Sequence, residues 1–279
     1  MTAAVQPVRF SVVIPAYNEQ DGLAATLDSL RAQDFPGTYE VIVVDNGSDD
    51  ATAARAAQGG ATVIAEPRLG VCRARQTGTM AARGEIVVST DADTVHPPGW
   101  LSRIDHVFRD HPAVVAVGGP CRYADPPWWA RLFPPLGFAM VAGLHTITGR
   151  VCYLTATNVA FRRDGFAGYD TTLSQGGDEI DLLRRLGRQG RVWWCADNAV
   201  TTSSRRLDQG LAYTLVVSYG YHYALAYVLN RATSRPLLGA APAIRATDAV
   251  DVRRRRRRWR RVVLAAASAT AIVRYLRRS

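Results

Sequence analysis

The chain has 279 residues, of which 48% are hydrophobic and 21% are charged, as is typical of an ordered protein with a full core. Its formal net charge is +10, but residues 253–279 hold eleven arginines and no acidic residue. Without these eleven charges the first 252 residues sum to about −1. Because a nucleic-acid-binding domain spreads its basic residues over a recognition face, the terminal concentration argues against nucleic acid as a partner.

The cysteine spacing and the N-terminal sequence indicate the cellular compartment in which the protein works. No pair of cysteines has C-x-x-C spacing and no histidine stands at ligand spacing, which argues against a zinc site or a disulfide framework. The apolar stretch that begins at Phe10 is short and runs directly into the polar residues 17–19, unlike a signal peptide. We therefore expect a cytosolic, reducing location.

The first third of the chain alternates between strand and helix patterns. Residues 10–15 form a continuous β-branched run typical of a buried parallel strand, and residues 21–33 carry leucines at helical spacing. The same alternation continues with strands predicted at 39–44, 61–65 and 85–89 and helices at 50–58 and 71–82. This order predicts right-handed crossovers and a parallel sheet covered by helices, with ligands bound beyond the carboxyl ends of the strands.

The alternation loosens after Asp93. Residues 114–118 and 152–161 indicate further strands, whereas the aromatic and proline-rich stretch 126–143 fits neither a clean helix nor a strand. Residues 211–229 are largely apolar and rich in tyrosine, which favours a helix packed on the protein or lying in a membrane interface over a lipid-buried span.

Two carboxylates follow the fourth predicted strand. Asp91 and Asp93 stand two residues apart on a strand-to-loop turn, where both could reach one hard cation. Mg²⁺ and Mn²⁺ take oxygen ligands and can bridge a protein to a diphosphate. A solvated turn rich in aspartate is the alternative reading of an isolated D-x-D pair.

Asp45 is the first polar residue after the second strand. A carboxylate at this edge can accept hydrogen bonds from a nucleotide base or ribose, as an acid does in dinucleotide-binding folds. The alternative assigns Asn46-Gly47 to a turn and Asp49 or Asp50 to a helix cap. Both interpretations can hold, for different residues.

Several motifs in chain order resemble the family-two glycosyltransferases of the GT-A fold, over about residues 8–205. The segment V-I-P-A-Y-N-E at 13–19 is similar to the family's first-strand signature, and V-V-D-N-G-S-D-D-A-T at 43–52 is similar to its second. The segment G-V-C-R-A-R-Q-T-G at 70–78, followed by A-R-G-E at 82–85, resembles the stretch before the metal motif. It has Gln76 where asparagine is more usual.

The resemblance implies roles for particular residues on the donor side. It implies that the pocket for the base and ribose is lined by Pro15, Tyr17, Glu19 and Asp45. It further implies that Arg75 lies near the diphosphate, that Asp91 faces the ribose and that Asp93 binds the metal. It also implies contacts of Arg205 and Arg206 with the diphosphate or metal. Mn²⁺ or Mg²⁺ is the implied cofactor.

On the acceptor side, the segment T-N-V-A-F-R-R at 157–163 resembles the family's acceptor strand and implies a role for Asn158. Asp178 and Glu179 stand where the family has Glu-Asp, and one of them would deprotonate the acceptor hydroxyl. Inversion needs such a carboxylate on the face opposite the departing nucleotide. Because the order is reversed here, the sequence leaves both acids as candidates. Helix capping by Asp178, Glu179 and Asp181 is the alternative.

The C-terminal tail joins basic and apolar character. An arginine run with Trp259 precedes an apolar stretch at 262–273 that is too short to span a bilayer. Arginines and a tryptophan suit an anionic headgroup boundary, which predicts peripheral attachment to the inner face of the cell membrane. A solvated, partly disordered terminus is the alternative.

These patterns predict a Rossmann-like α/β fold of GT-A type, with a mixed, mainly parallel sheet covered by helices and a helical, basic C-terminal tail. We expect a transferase domain over 1–210, with a nucleotide-binding half at 8–95 and an acceptor half at 96–210, followed by an extension at 211–279. The expected activity is metal-dependent, inverting transfer of a single hexose from a UDP- or GDP-type donor to a hydroxyl of a lipid-linked or cell-envelope glycan acceptor. A Q-x-x-R-W motif, which the resemblance ties to polymer synthesis, is lacking. The alternative is a non-catalytic nucleotide-sugar-binding module of the same fold, and a nucleotidyltransferase is a more distant one.

Overall fold

The computed structural model describes residues 7–173, 177–216 and 221, all within one compact unit that spans residues 1–243. The arginine-rich tail and most of the predicted helix at 211–229 lie outside the described residues. Residues 211–216 are helical, as predicted for that segment. In the described part of the chain, no helix combines the length and the hydrophobicity needed to cross a bilayer.

The strands and helices alternate through the first half of the chain, as the sequence predicts. The strands are β1 Phe10–Ala16, β2 Tyr39–Asp45, β3 Thr62–Ala65, β4 Ile86–Ser89, β5 Thr94–Val95, β6 Val114–Gly118, β7 Cys121–Ala124, β8 Val159–Arg162, β9 Arg191–Trp194 and β10 Val200–Ser203. The helices are α1 Leu23–Arg31, α2 Thr52–Gln58, α3 Val71–Ala81, α4 Trp100–Asp110, α5 Phe133–Thr148 and α6 Asp178–Gln189. Short 3-10 helices cover Trp128–Arg131 and Leu207–Gln209.

A seven-stranded sheet in the order β3-β2-β1-β4-β8-β6-β9 forms the centre of the fold. Its neighbours pair in parallel except at β8, which is antiparallel to both β4 and β6. The strands β5, β10 and β7 form a second, smaller sheet. The mixed, mainly parallel sheet covered by helices that the sequence predicts is confirmed.

Apolar residues on both faces of the large sheet form the core. Strand β1 is buried almost throughout because β2 and β4 flank it and helices cover both faces. Helix α3 lies so close to this strand that a Cβ at Gly78 would stand 2.4 Å from a methyl carbon of Val13. A side chain is therefore excluded at Gly78, and the close contact fixes α3 against the strands whose ends carry the candidate site.

Two predictions about the second half of the chain were wrong. The stretch 126–143 is helical over much of its length: α5 begins at Phe133 and continues to Thr148. Its prolines stand in the first turn, where a missing N–H breaks no helical hydrogen bond. The strand predicted at 152–161 is confined to Val159–Arg162, because the residues before it turn toward the ends of other strands.

Candidate active site

Three adjacent parallel strands end at one edge of the sheet. Strands β2, β1 and β4 lie side by side, and polar loops follow Asp45, Ala16 and Ser89. The carboxyl ends of parallel strands meet at one edge, which is where ligands bind in such sheets. The predicted donor-side residues before position 100 are therefore brought together, except that Arg75 reaches this edge from α3.

Asn46 ties these loops together from inside the protein. Its Nδ2 donates to the carbonyl oxygens of Glu66 and Arg68, both at 2.9 Å, and its Oδ1 accepts from the N–H of Gly70 at 2.8 Å. Its own N–H donates to the carbonyl of Ala16 at 2.8 Å. From the sequence, Asn46 was predicted only to form a turn. The sequence signal for its larger role in joining the loops was an amide side chain directly after an apolar strand.

The loops after β1 and β2 are joined by direct hydrogen bonds. Asn18, at a positive φ of 52°, accepts from the N–H of Asp49 at 3.0 Å, and its own N–H donates to Ser48 Oγ at 2.9 Å. The N–H of Ser48 donates to Asp45 Oδ1 at 3.2 Å. These bonds place Tyr17 and Glu19, on the loop after β1, next to a half-buried, oriented Asp45 carboxylate, and Pro15 lies at the end of β1 itself.

We call Arg75, Asp91, Thr157 and Asp178 the Arg75 cluster. The Arg75 guanidinium donates to Asp91 Oδ1 and to Asp178 Oδ2, both at 2.9 Å, and Thr157 Oγ1 donates to Asp91 Oδ2 at 2.6 Å. The Arg75 and Asp178 side chains are only 5% and 6% exposed. Burial lowers the pKa of Arg75, but the two carboxylates raise it above its usual value, so the guanidinium stays charged.

We call Arg205, Glu19, Asp93 and Thr202 the Arg205 cluster. The Arg205 guanidinium donates to Asp93 Oδ2 at 2.7 Å and to the two Glu19 carboxylate oxygens at 3.0 and 2.9 Å. Thr202 Oγ1 donates to Asp93 Oδ1 at 3.2 Å. The three charged side chains are between 17% and 22% exposed. Arg205 thus forms a direct ion pair with Asp93, the predicted metal ligand, and its contact with a diphosphate stays a prediction.

Buried polar side chains hold the turn that carries Asp91 and Asp93. Thr26 Oγ1 donates to the carbonyl of Ala92 at 2.9 Å and accepts from the N–H of Thr94 at 3.1 Å. Nearby, the His96 ring nitrogens lie 3.0 Å from Ser29 Oγ and 2.8 Å from Thr90 Oγ1. Burial lowers the pKa of His96 to about 3, so it acts as a neutral hydrogen-bonding support.

Two further predicted residues, Asn158 and Arg206, differ in solvent exposure. Asn158 is buried: its Nδ2 donates to the carbonyl oxygens of Pro120 and Asn198, and its Oδ1 accepts from Trp100 Nε1 at 2.9 Å. These bonds direct its amide into the core rather than toward an acceptor, and its acceptor-side role stays a prediction. Arg206 is exposed and makes no ion pair within the described part of the chain.

Asp178 and Glu179 open α6, with Asp181 in the same first turn. Three acidic side chains there favour the positive end of the helix dipole. The N-cap residue is Gly177, which has no side chain that could cap the helix. Asp178 binds Arg75, and Asp181 pairs with Arg185 one turn later. Glu179 is half-buried beside the Arg75 cluster.

The oxygen-rich edge suits a hard cation shared with a ligand. Among the residues that the structure describes, no group of three or more His, Cys, Asp or Glu side chains is placed to hold a metal ion. Asp93 already attracts one cation, the guanidinium of Arg205. Mg²⁺ is commonly held by one or two carboxylates, with water and substrate phosphates completing its shell. Asp93 fits that kind of site.

Comparisons with solved structures place the fold. The chain superposes on a mannosyltransferase from Pyrobaculum calidifontis, solved in complex with GDP-Man and Mn²⁺, with a TM-score of 0.62 and 24% identity over 86% of this chain and 67% of that one. It also superposes on glucosyl-3-phosphoglycerate synthase from Mycobacterium tuberculosis, solved with Mn²⁺ and UDP-glucose, with a TM-score of 0.56 and 24% identity over 80% and 79% of the two chains. These likenesses show the GT-A fold.

Sequence comparisons give the family. An uncharacterised glycosyltransferase of Mycobacterium tuberculosis is 40% identical over 123 residues, which are 44% of this chain and 54% of that protein. An undecaprenyl-phosphate 4-deoxy-4-formamido-L-arabinose transferase of Serratia proteamaculans is 37% identical over 40% of this chain and 38% of its own. The matches thus span about half, or less, of these relatives. The family model for glycosyl transferase family 2 matches residues 11–169, and the chain belongs to that family.

Proposed function

We propose that this protein transfers a single hexose from a nucleoside diphosphate donor to an acceptor hydroxyl, with inversion at the anomeric carbon. The observation that carries the proposal is the convergence of the Arg75 cluster and the Arg205 cluster on one turn. Asp91 belongs to the first cluster and Asp93 to the second, and the first acids of α6 lie beside them. Family membership supports transfer as the reaction, and the two solved structures support a UDP- or GDP-type donor.

The donor's base and ribose would bind in the pocket formed by the loops after β1 and β2. Asp45 is oriented by Ser48 and is half-exposed, so that its second oxygen can accept from a base or ribose. Tyr17 and Glu19 stand on the adjoining loop, and Asp91 presents its partly exposed carboxylate from the turn after β4.

A divalent cation at Asp93 would neutralise charge on the leaving diphosphate. Mn²⁺ is present in both solved neighbours, and Mg²⁺ has the same preference for oxygen ligands. Arg205 shares the Asp93 carboxylate and can turn toward phosphate oxygens, for which a guanidinium is well suited. Arg206, exposed on the same segment, is a second candidate phosphate contact.

We assign the role of general base to Glu179. Asp178 is buried, and one of its oxygens is bound to the Arg75 guanidinium, which holds the carboxylate in place. A carboxylate held in this way is better suited to positioning than to accepting a proton. Glu179 is the next residue of the same helical turn and is half-buried rather than buried, and we assign it the contact with the hydroxyl of an acceptor.

The proposal also includes an acceptor and a location for the protein. The Serratia relative is named for an undecaprenyl phosphate, which supports a lipid-linked or cell-envelope glycan acceptor. Such an acceptor would require work at the inner face of the cell membrane, with the arginine-rich tail contacting anionic lipid. The non-catalytic binding module remains the alternative, and the retained acids argue against it.

A panel of UDP-, GDP- and dTDP-linked sugars tests the function. We expect the full-length protein to hydrolyse one donor slowly with Mn²⁺ or Mg²⁺ and to stop when EDTA is added. Asp93→Ala should lower this rate by about 10²-fold or more, because it removes a group that stabilises the leaving charge. The matched control is Asp28→Ala, which removes an exposed carboxylate far along α1 and should leave the rate unchanged.

The same assay separates the base from the binding residues. Glu179→Gln should retain donor binding, measured by calorimetry, while acceptor-dependent turnover falls by about 10²–10⁴-fold. Full turnover in this variant would contradict the assignment of the base. Donor binding by the folded wild-type protein without any turnover would favour the binding module, and no binding to any donor would overturn the whole proposal.

A further inference from the structure

Within the part of the chain that the structure describes, helix α5 packs on the protein through one of its faces. The Phe138 ring stacks on Trp194 with centroids 5.9 Å apart, and the His145 ring lies 5.1 Å from Trp193 in an edge-on contact. Val141 is buried between them. These three residues attach the helix to β9 and account for its inward face.

The opposite face of α5 carries an exposed row of large apolar side chains, which we call the apolar stripe. Its members recur at intervals of three or four residues, so that they fall within an arc of about 80° around the helix axis. They are Phe133, Leu136, Met140, Leu144 and Ile147. No charged residue lies in the sixteen residues of the helix. Contiguous exposed apolar surface of this kind marks an interaction site.

Aromatic and basic residues flank the apolar stripe. Trp128, in the 3-10 helix before α5, is exposed, and so are Arg131 before the helix and Arg150 after it. From residue 126 to residue 163 the sequence contains no acidic residue. The surface is therefore apolar along its middle and positively charged at both ends.

We propose that the apolar stripe docks on an anionic lipid bilayer, with α5 lying in the plane of the headgroups. Helices that bind in this way bury an apolar face at the boundary of the acyl chains and attract anionic lipid with basic residues. Trp128 has the amphipathic ring that suits that boundary. Arg131 and Arg150 would meet headgroup phosphates at the two ends of the helix. This inference does not depend on the transfer reaction.

The charges argue against two other occupants of the apolar stripe. If a second copy packed there, Arg131 would face either Arg131 or Arg150 of that copy in the two helix orientations, and like charges would meet. The chain's own tail at 253–279 carries eleven arginines and no acid, so it would repel the same ends. An anionic surface complements both ends at once.

The docked face would lie close to the candidate active site along the chain. Nine residues lead from the end of α5 at Thr148 to Thr157, which donates to Asp91. Nine residues span at most about 30 Å. A protein docked through α5 would therefore hold Thr157 within about 30 Å of the docked helix.

Vesicle flotation of the full-length protein tests the proposal with a closely matched pair of variants. Met140→Glu changes the apolar stripe, and Met80→Glu changes the same residue type on α3; the two methionines are 67% and 74% exposed. On vesicles of phosphatidylcholine with phosphatidylglycerol, Met140→Glu should bind about tenfold more weakly than wild type, or weaker still. Met80→Glu should bind like wild type. Ile147→Glu is a second variant in case Met140→Glu fails to fold.

The tail requires its own control because it can bind lipid separately. The comparison is repeated in a full-length background in which the eleven tail arginines are replaced by glutamine. Equal binding of Met140→Glu and Met80→Glu in both backgrounds would overturn the proposal. So would equal binding of the wild type to vesicles of phosphatidylcholine alone, since Arg131 and Arg150 should add about fivefold or more on anionic lipid. A wild-type dimer that Met140→Glu converts to a monomer, seen by light scattering without vesicles, would assign the apolar stripe to self-association and also overturn it.

Discussion

The Arg75 cluster and the Arg205 cluster have the same design in two different environments. In each, one guanidinium joins a carboxylate of the Asp91–Asp93 turn to a carboxylate from elsewhere in the chain, and a threonine hydroxyl donates to the turn residue. The first arginine is almost completely buried, whereas the second is about one-fifth exposed.

Because of this difference in burial, we expect the Arg75 ion pairs to stay intact and the Arg205 ion pairs to be replaceable by a ligand. Breaking a buried pair leaves an uncompensated charge in the protein interior and costs about 3–5 kcal/mol. A fully exposed pair is screened by solvent and contributes about 0–1 kcal/mol, and the Arg205 pair, about one-fifth exposed, lies between these two limits. We infer that Arg75 positions the site permanently, while Arg205 can give up Asp93 to a cation and turn to a phosphate.

The largest effect on stability is expected for Arg75→Met. This change leaves Asp178 buried without its cation, so the free energy of unfolding should fall by about 3–5 kcal/mol, measured by chemical denaturation. Arg83→Met is the control, because the Arg83 side chain is mostly exposed in its pair with Glu40 and should cost about 1 kcal/mol or less. Equal losses in the two variants would break the distinction between buried and exposed pairs.

A smaller effect, dependent on pH, is expected at His96, which supports the turn from behind. Its pKa is about 3 in the folded protein and about 6.5 when unfolded. Between these values the unfolded chain binds more protons, so stability falls as the pH is lowered through this window. His96→Gln should remove about 1.4 kcal/mol of the stability difference between about pH 7.5 and about pH 5.5. Unchanged pH dependence in urea unfolding would show that His96 is not buried as a neutral group.

The smallest effect on stability is expected for Arg205→Met. It leaves Glu19 and Asp93 facing each other, with a loss of about 1 kcal/mol in partly exposed surroundings. Mn²⁺ should then raise the thermal midpoint more in the variant than in the wild type, because the cation no longer competes with the guanidinium and binds only the folded state. An equal shift in both proteins would show that Arg205 does not occupy the position of the cation.

The sequence predicted the first half of the fold well because its signals are local. Buried strands read as unbroken β-branched runs, and the helices between them show regular apolar spacing. Local apolar spacing did not predict α5, because this helix contains prolines and exposes apolar side chains and so lacks the usual amphipathic pattern. The sequence pattern also extended β8 backward over Thr157 and Asn158, which leave the strand direction to bind Asp91 and the core.

The candidate site was predicted residue by residue but not as two clusters. Asp91, Asp93 and Asp178 follow recognisable motifs, yet their arginine partners are separated from them by as many as 112 residues. No local pattern records such a pairing. The role of Asn46 was underestimated for the same reason, since its partners lie about twenty residues further along the chain.

The position of β8 in the large sheet has a consequence for how the protein can be divided. This strand comes from the second half of the chain and lies between β4 and β6. The backbone of β4, in the first half, therefore pairs with a strand of the second half. The Arg75–Asp178 pair crosses the same boundary. We therefore expect the halves at 8–95 and 96–210 to unfold together, and a chimera that exchanges either half with a relative to need β8 and this pair carried over together.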